Sequence, residues 1–344
     1  MKKTLLETKL SFWEQINKSS RKIEKLFHSE QSSQAYEEIS KIISKHFPDI
    51  FFNISYISKS KEITIAFSPE GEKTKQIIIE YILEEADIPK DWKFYGFKQP
   101  SNLEGNAIRM FDISFDSESF MINYQLNDSK SKLNILVFHP EFMKISTEKQ
   151  RHLSIILIEE ILGEALSELF IETIESSEKN LNNSKKYGQF LKEFQLLAQK
   201  NNWDLNRNPN DEWSGYSIKE EKVNKKQNYE SREDIYVGIT RNFNLVDEEI
   251  EFYPGTKYIY IKMEIGKLPL ESLVNTREKI EDTLLSELKK KKAGDLVGGA
   301  TGKFFFYSDF LIFDESNAIK IINNILKTKF PEIKYEIHEF RQSK

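Results

Sequence analysis

Four glutamates follow one another at intervals of four residues in a segment that is predicted to be helical. Glu160, Glu164, Glu168 and Glu172 would lie along one face of the helix, because residues four apart are neighbours there. We call these four residues the acidic ridge. Like charges at this spacing disfavour a helix slightly, so the ridge does not serve the helix itself. It could bind a basic partner protein or, together with other carboxylates, a divalent cation. A solvated helix face is the alternative interpretation.

A second candidate is the glycine-rich segment Gly294–Lys303. A phosphate-binding loop requires G-x-x-x-x-G-K-[ST] between a strand and a helix. Here the residue five positions before Gly302 is Val297, the lysine is followed by Phe304, and the segment leads from a helix into a strand. The pattern therefore indicates a helix stop and a glycine-rich turn. Its exposed amides make a candidate ligand-contacting loop of Gly298, Gly299, Thr301 and Gly302.

The remaining patterns of catalytic and metal-binding chemistry are incomplete. The segment from Asp112 begins like a calcium loop, but its sixth residue is Ser117 and its twelfth is Asn123. The five histidines are dispersed, without H-E-x-x-H or a G-x-S-x-G elbow. We therefore predict no catalytic residue, no metal ligand and no cofactor. A site assembled from distant residues remains an open alternative.

Composition narrows the classes of function. The chain has 344 residues, a net charge of −5, no cysteine, 39% hydrophobic residues and 31% charged residues, which predicts a soluble globular protein. Nucleic-acid binding is not expected, because a basic excess is missing. The basic run Lys289–Lys292 is at a predicted helix end, where cations complement the helix dipole.

The N-terminal segment does not predict export. Lys2 and Lys3 resemble the start of a signal peptide, but charged residues at positions 7, 9 and 14 interrupt any apolar stretch. The most apolar segment, Leu153–Ile158, is far shorter than the roughly 20 residues of a membrane span. We therefore expect a cytoplasmic protein without a membrane partner.

Hydrophobic periodicity predicts an α+β fold with two domains, each a mostly antiparallel sheet covered by helices on one face. The N-terminal domain would span residues 1–178 and the C-terminal domain residues 189–344, with ferredoxin-like elements in the latter. Residues 179–188 would be the linker. A capping box at Ser11 and Glu14 predicts the start of the first helix, and one long helix is predicted from about Thr147 to Glu175.

Two segments have similar patterns. Residues 63–99 and 307–342 both indicate a strand, an acidic turn, a helix, a proline and an aromatic strand. Duplication and the recurrence of a common supersecondary unit both account for this similarity.

The first half resembles a family of uncharacterised bacterial proteins over residues 11–175. The residues of that resemblance are Phe12-Trp13, Phe47-Pro48-Asp49, Trp92-Lys93 leading to Phe97-Lys98, and Leu162-Gly163-Glu164-Ala165. The second half is similar to another bacterial domain of unknown function, sometimes likened to regulators of ribonuclease E. Its matching segments are Tyr258–Glu264, Glu281-Asp282 and Gly298–Gly302. The resemblances imply a bacterial cytosolic protein of two α+β domains, and no catalytic residue.

These observations favour a non-enzymatic protein that binds or regulates another protein, such as an immunity protein that masks a basic target. An enzyme with a carboxylate-lined, metal-assisted site between the two halves is the alternative, and a structural module without a ligand is a third option. If the acidic ridge binds the partner, changing Glu164, Glu168 and Glu172 to glutamine should weaken binding and leave the fold intact.

Overall fold

The computed structural model describes residues 3–217, 232, 234–242, 253–264 and 270–340. Within these ranges the chain forms eight helices and fourteen strands, which confirms the α+β class. The helices are α1 Leu5–His28, α2 Ser32–His46, α3 Lys73–Leu83, α4 Thr147–Leu162, α5 Glu164–Phe170, α6 Tyr187–Asn201, α7 Leu270–Lys290 and α8 Glu315–Lys329. The strands are β1 Phe51–Ile57, β2 Glu62–Ser68, β3 Trp92–Tyr95, β4 Ala107–Met110, β5 Ile113–Asp116, β6 Met121–Leu126, β7 Leu133–Phe138, β8 Ile171–Ser176, β9 Ser214–Ser217, β10 Ile235–Thr240, β11 Lys257–Glu264, β12 Gly294–Gly302, β13 Phe305–Ile312 and β14 Tyr335–Glu339.

Helix α1 begins earlier than its sequence pattern indicated. Thr4 and Glu7 form the capping box: the Thr4 hydroxyl accepts the Glu7 N–H, and the Glu7 carboxylate accepts the Thr4 N–H. The predicted start at Ser11 is wrong, because Ser11 lies inside α1. An S-x-x-E pattern caps a helix only where the chain enters the helix, and the pattern alone does not locate that point.

The first sheet has the order β1-β2-β3, with β1 antiparallel and β3 parallel to β2. Helix α3 connects the two parallel strands, and α1 packs against α2. Side chains of α1 also bind the last turn of α3. Trp13 Nε1 donates to the Ile82 carbonyl at 2.9 Å, and Lys9 Nζ donates to the Tyr81 carbonyl at 2.6 Å. These bonds satisfy carbonyls that a helix end leaves without intrahelical partners.

The second sheet repeats this pairing. In the order β6-β7-β8, β6 is antiparallel and β8 parallel to β7, and the connection between β7 and β8 contains α4 and α5. Strands β4 and β5 form a separate hairpin. Helix α6 packs on the same hydrophobic core through Phe190 and Phe194. The backbone of Lys185, within the predicted linker, pairs with Ile122. Helix α6 therefore packs on the core formed by residues 103–176 and also on Trp203, whereas the predicted boundary assigns the helix to the C-terminal domain.

The third sheet has six strands in the order β14-β11-β13-β12-β10-β9, and its neighbours pair antiparallel. The segment β11-α7-β12-β13-α8-β14 has the βαββαβ order of a ferredoxin-like unit, extended beside β12 by β10 and β9. Here β11 separates β13 from β14, whereas β2 and β3 pair directly. The two segments with similar sequence patterns, residues 63–99 and 307–342, therefore differ in strand pairing.

The central strands β11, β12 and β13 of the six-stranded sheet are buried on both faces. Phe306 and Phe310 of β13 pack under α7 and α8, whereas Tyr307 and Leu311 share a hydrophobic core with α1–α3. The prediction of helices on one face only is wrong for this sheet. Every residue of β13 is buried, which fits the nearly continuous apolar composition of the strand.

Candidate functional site

The four glutamates of the acidic ridge do not share one helix. Gly163 ends α4 with φ +81°, Glu164 begins α5, and Glu172 lies on β8. A side chain at Gly163 would place its Cβ 2.9 Å from Cδ of Pro100 and 3.2 Å from the Lys98 carbonyl oxygen. The predicted helix to Glu175 is therefore wrong, because close approach of the 98–100 segment and a positive φ both require glycine at 163.

Glu164 is enclosed by the chain itself and is only 4% exposed. Its Oε1 accepts hydrogen bonds from Ser68 Oγ at 3.0 Å and from the Glu70 N–H at 2.9 Å. Its Oε2 accepts the Lys98 N–H at 3.1 Å. Burial raises the pKa of the Glu164 carboxyl above its ordinary value, and the three hydrogen bonds oppose that shift by favouring the carboxylate. This carboxylate binds the ends of β2 and of the 96–100 segment to α5.

Two neighbouring glutamates make further links between the same parts of the chain. Glu160 pairs with Lys98 at 2.7 Å and accepts a hydrogen bond from Ser101. Glu168 pairs with Lys73 and accepts a hydrogen bond from Gln76, both near the start of α3. We call the four carboxylates of Glu159, Glu160, Glu164 and Glu168 the acidic junction.

The carboxyl of Glu159 is the most perturbed of the acidic junction, since burial, and then the Glu164 charge, raise its pKa to about 7. Glu172 differs from the rest of the predicted ridge, because its side chain is exposed. Glu160, Glu164 and Glu168 therefore bind other parts of the same chain. They do not form the continuous acidic helix face from which partner binding was predicted.

The glycine-rich segment is strand β12 and not a loop, so the prediction of a turn there is wrong. Gly298, Gly299 and Gly302 are buried, and each faces a carboxylate. A Cβ at Gly298 would lie 2.8 Å from Asp309 Oδ2, and one at Gly299 would lie 2.5 Å from Glu281 Oε1. Glycine is required at these positions because carboxylates from other elements occupy the space that a side chain would fill. Those carboxylates are distant in the sequence, and therefore the local sequence pattern did not indicate a strand.

On the helix face of β12, Glu281 of α7 is the central acid. Its Oε1 accepts a hydrogen bond from Ser308 Oγ at 2.8 Å, and Arg277 Nε lies 3.4 Å from the same oxygen. Arg277 also donates to Thr301 Oγ1 at 3.2 Å, which explains the buried hydroxyl of the predicted loop. Burial raises the pKa of Glu281 to about 7 despite the nearby Arg277 charge.

On the opposite face, Asp234 lies against Gly302. It accepts the Phe304 N–H at 2.8 Å, the Phe305 N–H at 3.2 Å, and the Tyr307 hydroxyl. Burial, and then this hydrogen bond, raise the pKa of the Tyr307 phenol. Asp234 thereby holds the turn between β12 and β13.

Asp309 lies against Gly298 on this same face and pairs with Arg232 at 3.1 Å. The Arg232 guanidinium also lies 4.8 Å from the ring centre of Phe340. We call Asp234, Glu281 and Asp309 the glycine-strand cluster. Each of the three carboxylates already accepts protein donors, so their geometry supports a structural role.

A small cavity of about 100 Å³ lies between α3 and the C-terminal sheet. Its polar lining consists of Glu80, Glu84, Lys289, Lys292 and Asp295. Burial is the main cause that raises the pKa of Glu80. Sites for drug-sized ligands are typically about 300–1,000 Å³, so this cavity would admit only a few water molecules or a very small ligand.

The histidines serve separate local contacts. His46 Nδ1 lies 2.9 Å from the Ile42 carbonyl, and His139 accepts the Glu141 N–H. His338 Nε2 lies 3.0 Å from Glu336 Oε2. Across the described ranges, no group of three or more histidine, aspartate and glutamate side chains is arranged to hold a metal ion.

Two surfaces of the six-stranded sheet were missed in the sequence, although both obey strand alternation. Val237 and Ile239 of β10 are 46% and 40% exposed and lie two residues apart, hence on one face. We call this pair the β10 patch. Trp213, which is also exposed, directly precedes β9, the strand that pairs with β10. At the other end of the sheet, β14 and α8 line an open groove of about 620 Å³.

Comparison of the chain with protein-family models, with curated proteins and with solved structures gave no match. The two resemblances in the sequence therefore stay predictions. None of the helices in the described part of the chain has both the length and the apolar composition of a membrane-spanning segment. The function is argued below from geometry and charge.

Proposed function

We propose that this is a bacterial cytoplasmic protein that acts by binding another protein and does not catalyse a reaction. The observation that supports the proposal is the β10 patch. Val237 and Ile239 expose two branched apolar side chains on a strand near the end of the sheet, and the exposed Trp213 directly precedes the neighbouring strand β9. Exposed apolar residues that adjoin one another are typical of interaction sites, whereas scattered ones are not.

The ionisable groups support the same proposal. The buried carboxylates of the acidic junction and of the glycine-strand cluster are engaged by donors from within the chain. They serve the fold and are not presented to a substrate. The net charge of −5 favours a partner with a basic surface, in which case association should weaken as salt screens the attraction.

The experiment is affinity capture from lysate of the source cells, followed by titration of the retained protein against variants. Val237→Asp and Ile239→Asp introduce charges into the β10 patch and should weaken binding about tenfold or more. Phe51→Asp and Ile57→Asp are matched controls, because both residues are exposed apolar residues of β1. Equal affinity of the β10 and β1 variants would contradict the proposed surface. Lack of any stoichiometric partner at low salt would contradict the proposed function.

The cavity between α3 and the C-terminal sheet is the observation behind a second candidate, an enzyme with a carboxylate-lined site. It brings Glu80 and Asp295 near Lys289, so carboxylates and an ammonium group share one small cavity. Calorimetric titration with Mg²⁺, Mn²⁺ and Ca²⁺ tests this candidate. Heat that is abolished by Glu80→Gln would support it, and no heat with any of the three ions would count against it.

A further inference from the structure

Strand β14 forms one edge of the six-stranded sheet, and within the described residues it pairs with β11 alone. The Phe340 N–H donates to the Tyr258 carbonyl, and the Glu264 N–H donates to the Lys334 carbonyl. Hydrogen-bonded positions alternate along an antiparallel pair. Tyr335, Ile337 and Glu339 therefore direct their backbone N–H and C=O groups away from β11, towards the open edge.

We propose that a second copy of this chain adds its own β14 to this edge, antiparallel and related by a two-fold axis at Ile337. Ile337 would then face Ile337 of the second copy, and Tyr335 would face Glu339 of the second copy. Each of these facing residues directs its N–H and C=O outward, so they would form the hydrogen-bonded pairs of the new ladder. The two sheets would become one continuous sheet, which removes an exposed edge from each copy.

Complementarity between Glu336 and a protonated His338 is the reason for choosing a second copy as the occupant. In this register Glu336 faces His338 of the second copy, and the symmetry creates the same pair twice. These are non-hydrogen-bonded positions, where facing side chains are closest. His338 already lies 3.0 Å from Glu336 of its own strand. A shifted two-fold axis at Glu339 would instead place two glutamates opposite each other, which is unfavourable.

The groove beside β14 is suited to the incoming strand. It is lined on the helix side by Glu315, Ile319, Asn323 and Lys327 of α8. The Tyr335 hydroxyl donates to Asn323 Oδ1 at 2.7 Å, so the next turn of α8, with Lys327, lies beyond the Tyr335 end of the groove. Glu339 of the second copy would arrive opposite Tyr335, close to that ammonium group.

This inference does not depend on the partner proposed above, because β14 and the β10 patch are near opposite ends of the sheet. The test is sedimentation equilibrium of the full chain at about 1–100 μM, which spans typical weak-dimer affinities. We expect the wild type to reach twice the mass of one chain. A wild type that remains monomeric at the highest concentration would overturn the proposal and leave the edge to an extended segment of a different protein.

Glu339→Pro tests the surface itself. Proline removes an outward N–H that β11 does not use, so the fold should tolerate it at an edge. It should weaken dimerisation about tenfold or more. Glu339→Ala is the matched control, because it also removes the contact with Lys257 but keeps the N–H. A dimer that resists the proline substitution must use another surface, which would overturn the proposal.

Exchanging the charges at positions 336 and 338 tests the register of the two β14 strands, and this test remains available if Glu339→Pro does not fold. His338→Glu alone should weaken the dimer by placing carboxylates at 336 and 338 opposite each other. The double variant Glu336→Lys with His338→Glu restores opposite charges and should recover the wild-type affinity. Both variants lose the stacking of His338 on Tyr260, so that loss does not distinguish them. Failure of the double variant to recover affinity would overturn the proposed register.

Discussion

The acidic junction and the glycine-strand cluster both bury carboxylates, but they satisfy them differently. At the junction, Glu164 accepts two backbone N–H groups and one hydroxyl. In the cluster, Glu281 and Asp309 lie beside the arginines Arg277 and Arg232, and their carboxylates occupy the space of missing glycine side chains. Neutral donors from distant segments bind Glu164 and lysines bind Glu160 and Glu168, which joins parts of the chain. The arginine pairs of the cluster instead lie against the faces of one sheet.

This difference shows why buried acids alone do not indicate catalysis. A raised pKa is common at active sites, yet it also arises wherever a structural carboxylate is enclosed. The pKa values of Glu159 and Glu281 are both raised to about 7, mainly by burial. The two side chains nevertheless differ in their partners, and substitutions should separate them.

The largest effect is expected from Gly302→Ala in the glycine-strand cluster. The new Cβ would meet Cγ of Asp234 at 2.5 Å, and that carboxylate is held by three hydrogen bonds. We expect a loss of about 3 kcal/mol in the free energy of unfolding, measured with urea.

Gly188→Ala is the control for this prediction. Gly188 lies in α6 with open space where its Cβ would be, so alanine should stabilise the helix by about 0.5–1 kcal/mol. If Gly302→Ala proved equally harmless, the glycine would not be required by the Asp234 carboxylate.

An intermediate effect is expected from Glu164→Gln at the acidic junction. Glutamine keeps the shape but presents an NH₂ group to donors from Ser68, Glu70 or Lys98. We expect the unfolding free energy to fall by about 2 kcal/mol, since a buried donor loses its acceptor. Glu172→Gln, at an exposed position, should change it by less than about 0.5 kcal/mol. Similar values for both variants would restore the surface-ridge interpretation.

Glu159→Gln is expected to act in the opposite direction and to stabilise the protein. Because folding raises the pKa of Glu159 from its ordinary value of 4.5 to about 7, the folded state holds the proton more tightly. Stability is therefore lost as pH rises from about 4.5 to about 7, and stays lost above that range. Glutamine does not titrate, so the variant does not lose stability over this pH range. Its unfolding free energy should exceed that of the wild type at pH 8, by about 3 kcal/mol at most if the full shift is realised, and should equal it near pH 4.

Glu281→Gln sharpens the comparison, because the same pKa is accompanied by a buried arginine. Removing the Glu281 charge leaves Arg277 without its carboxylate, so this variant should be less stable than the wild type at pH 8. Urea unfolding at pH 4, 6 and 8 measures both variants. Stabilisation by both substitutions would mean that the Arg277 contact contributes little.

The sequence predicted most elements of the fold, since hydrophobic periodicity reflects burial that is local to each element. The pattern predicted a helix between two strands in residues 63–99 and again in residues 307–342, and the structure has α3 and α8 between strands there. The prediction from periodicity was wrong where a glycine is required by residues that are distant in the sequence. Periodicity predicts a continuous helix through Gly163 and the glycine pattern predicts a turn at residues 298–302, and both predictions are wrong.

The candidate site was less predictable. The four-residue spacing would place the glutamates on one surface only if they all belonged to one continuous helix. The break at Gly163 depends on the approach of Lys98 and Pro100, which are more than 60 residues away in the chain. Such an approach has no local signature, and so the partners of Glu164 could not be predicted.

By itself the sequence determined the α+β class, because alternation and helical periodicity follow from which side of each element faces a core. It also determined the acidic net charge and the absence of cysteine. Only the tertiary structure decided which carboxylates are buried and which strand forms an open edge. The reason is that hydrogen-bond donors, excluded volume and strand neighbours come from distant segments, whose meeting depends on the packing of the whole chain.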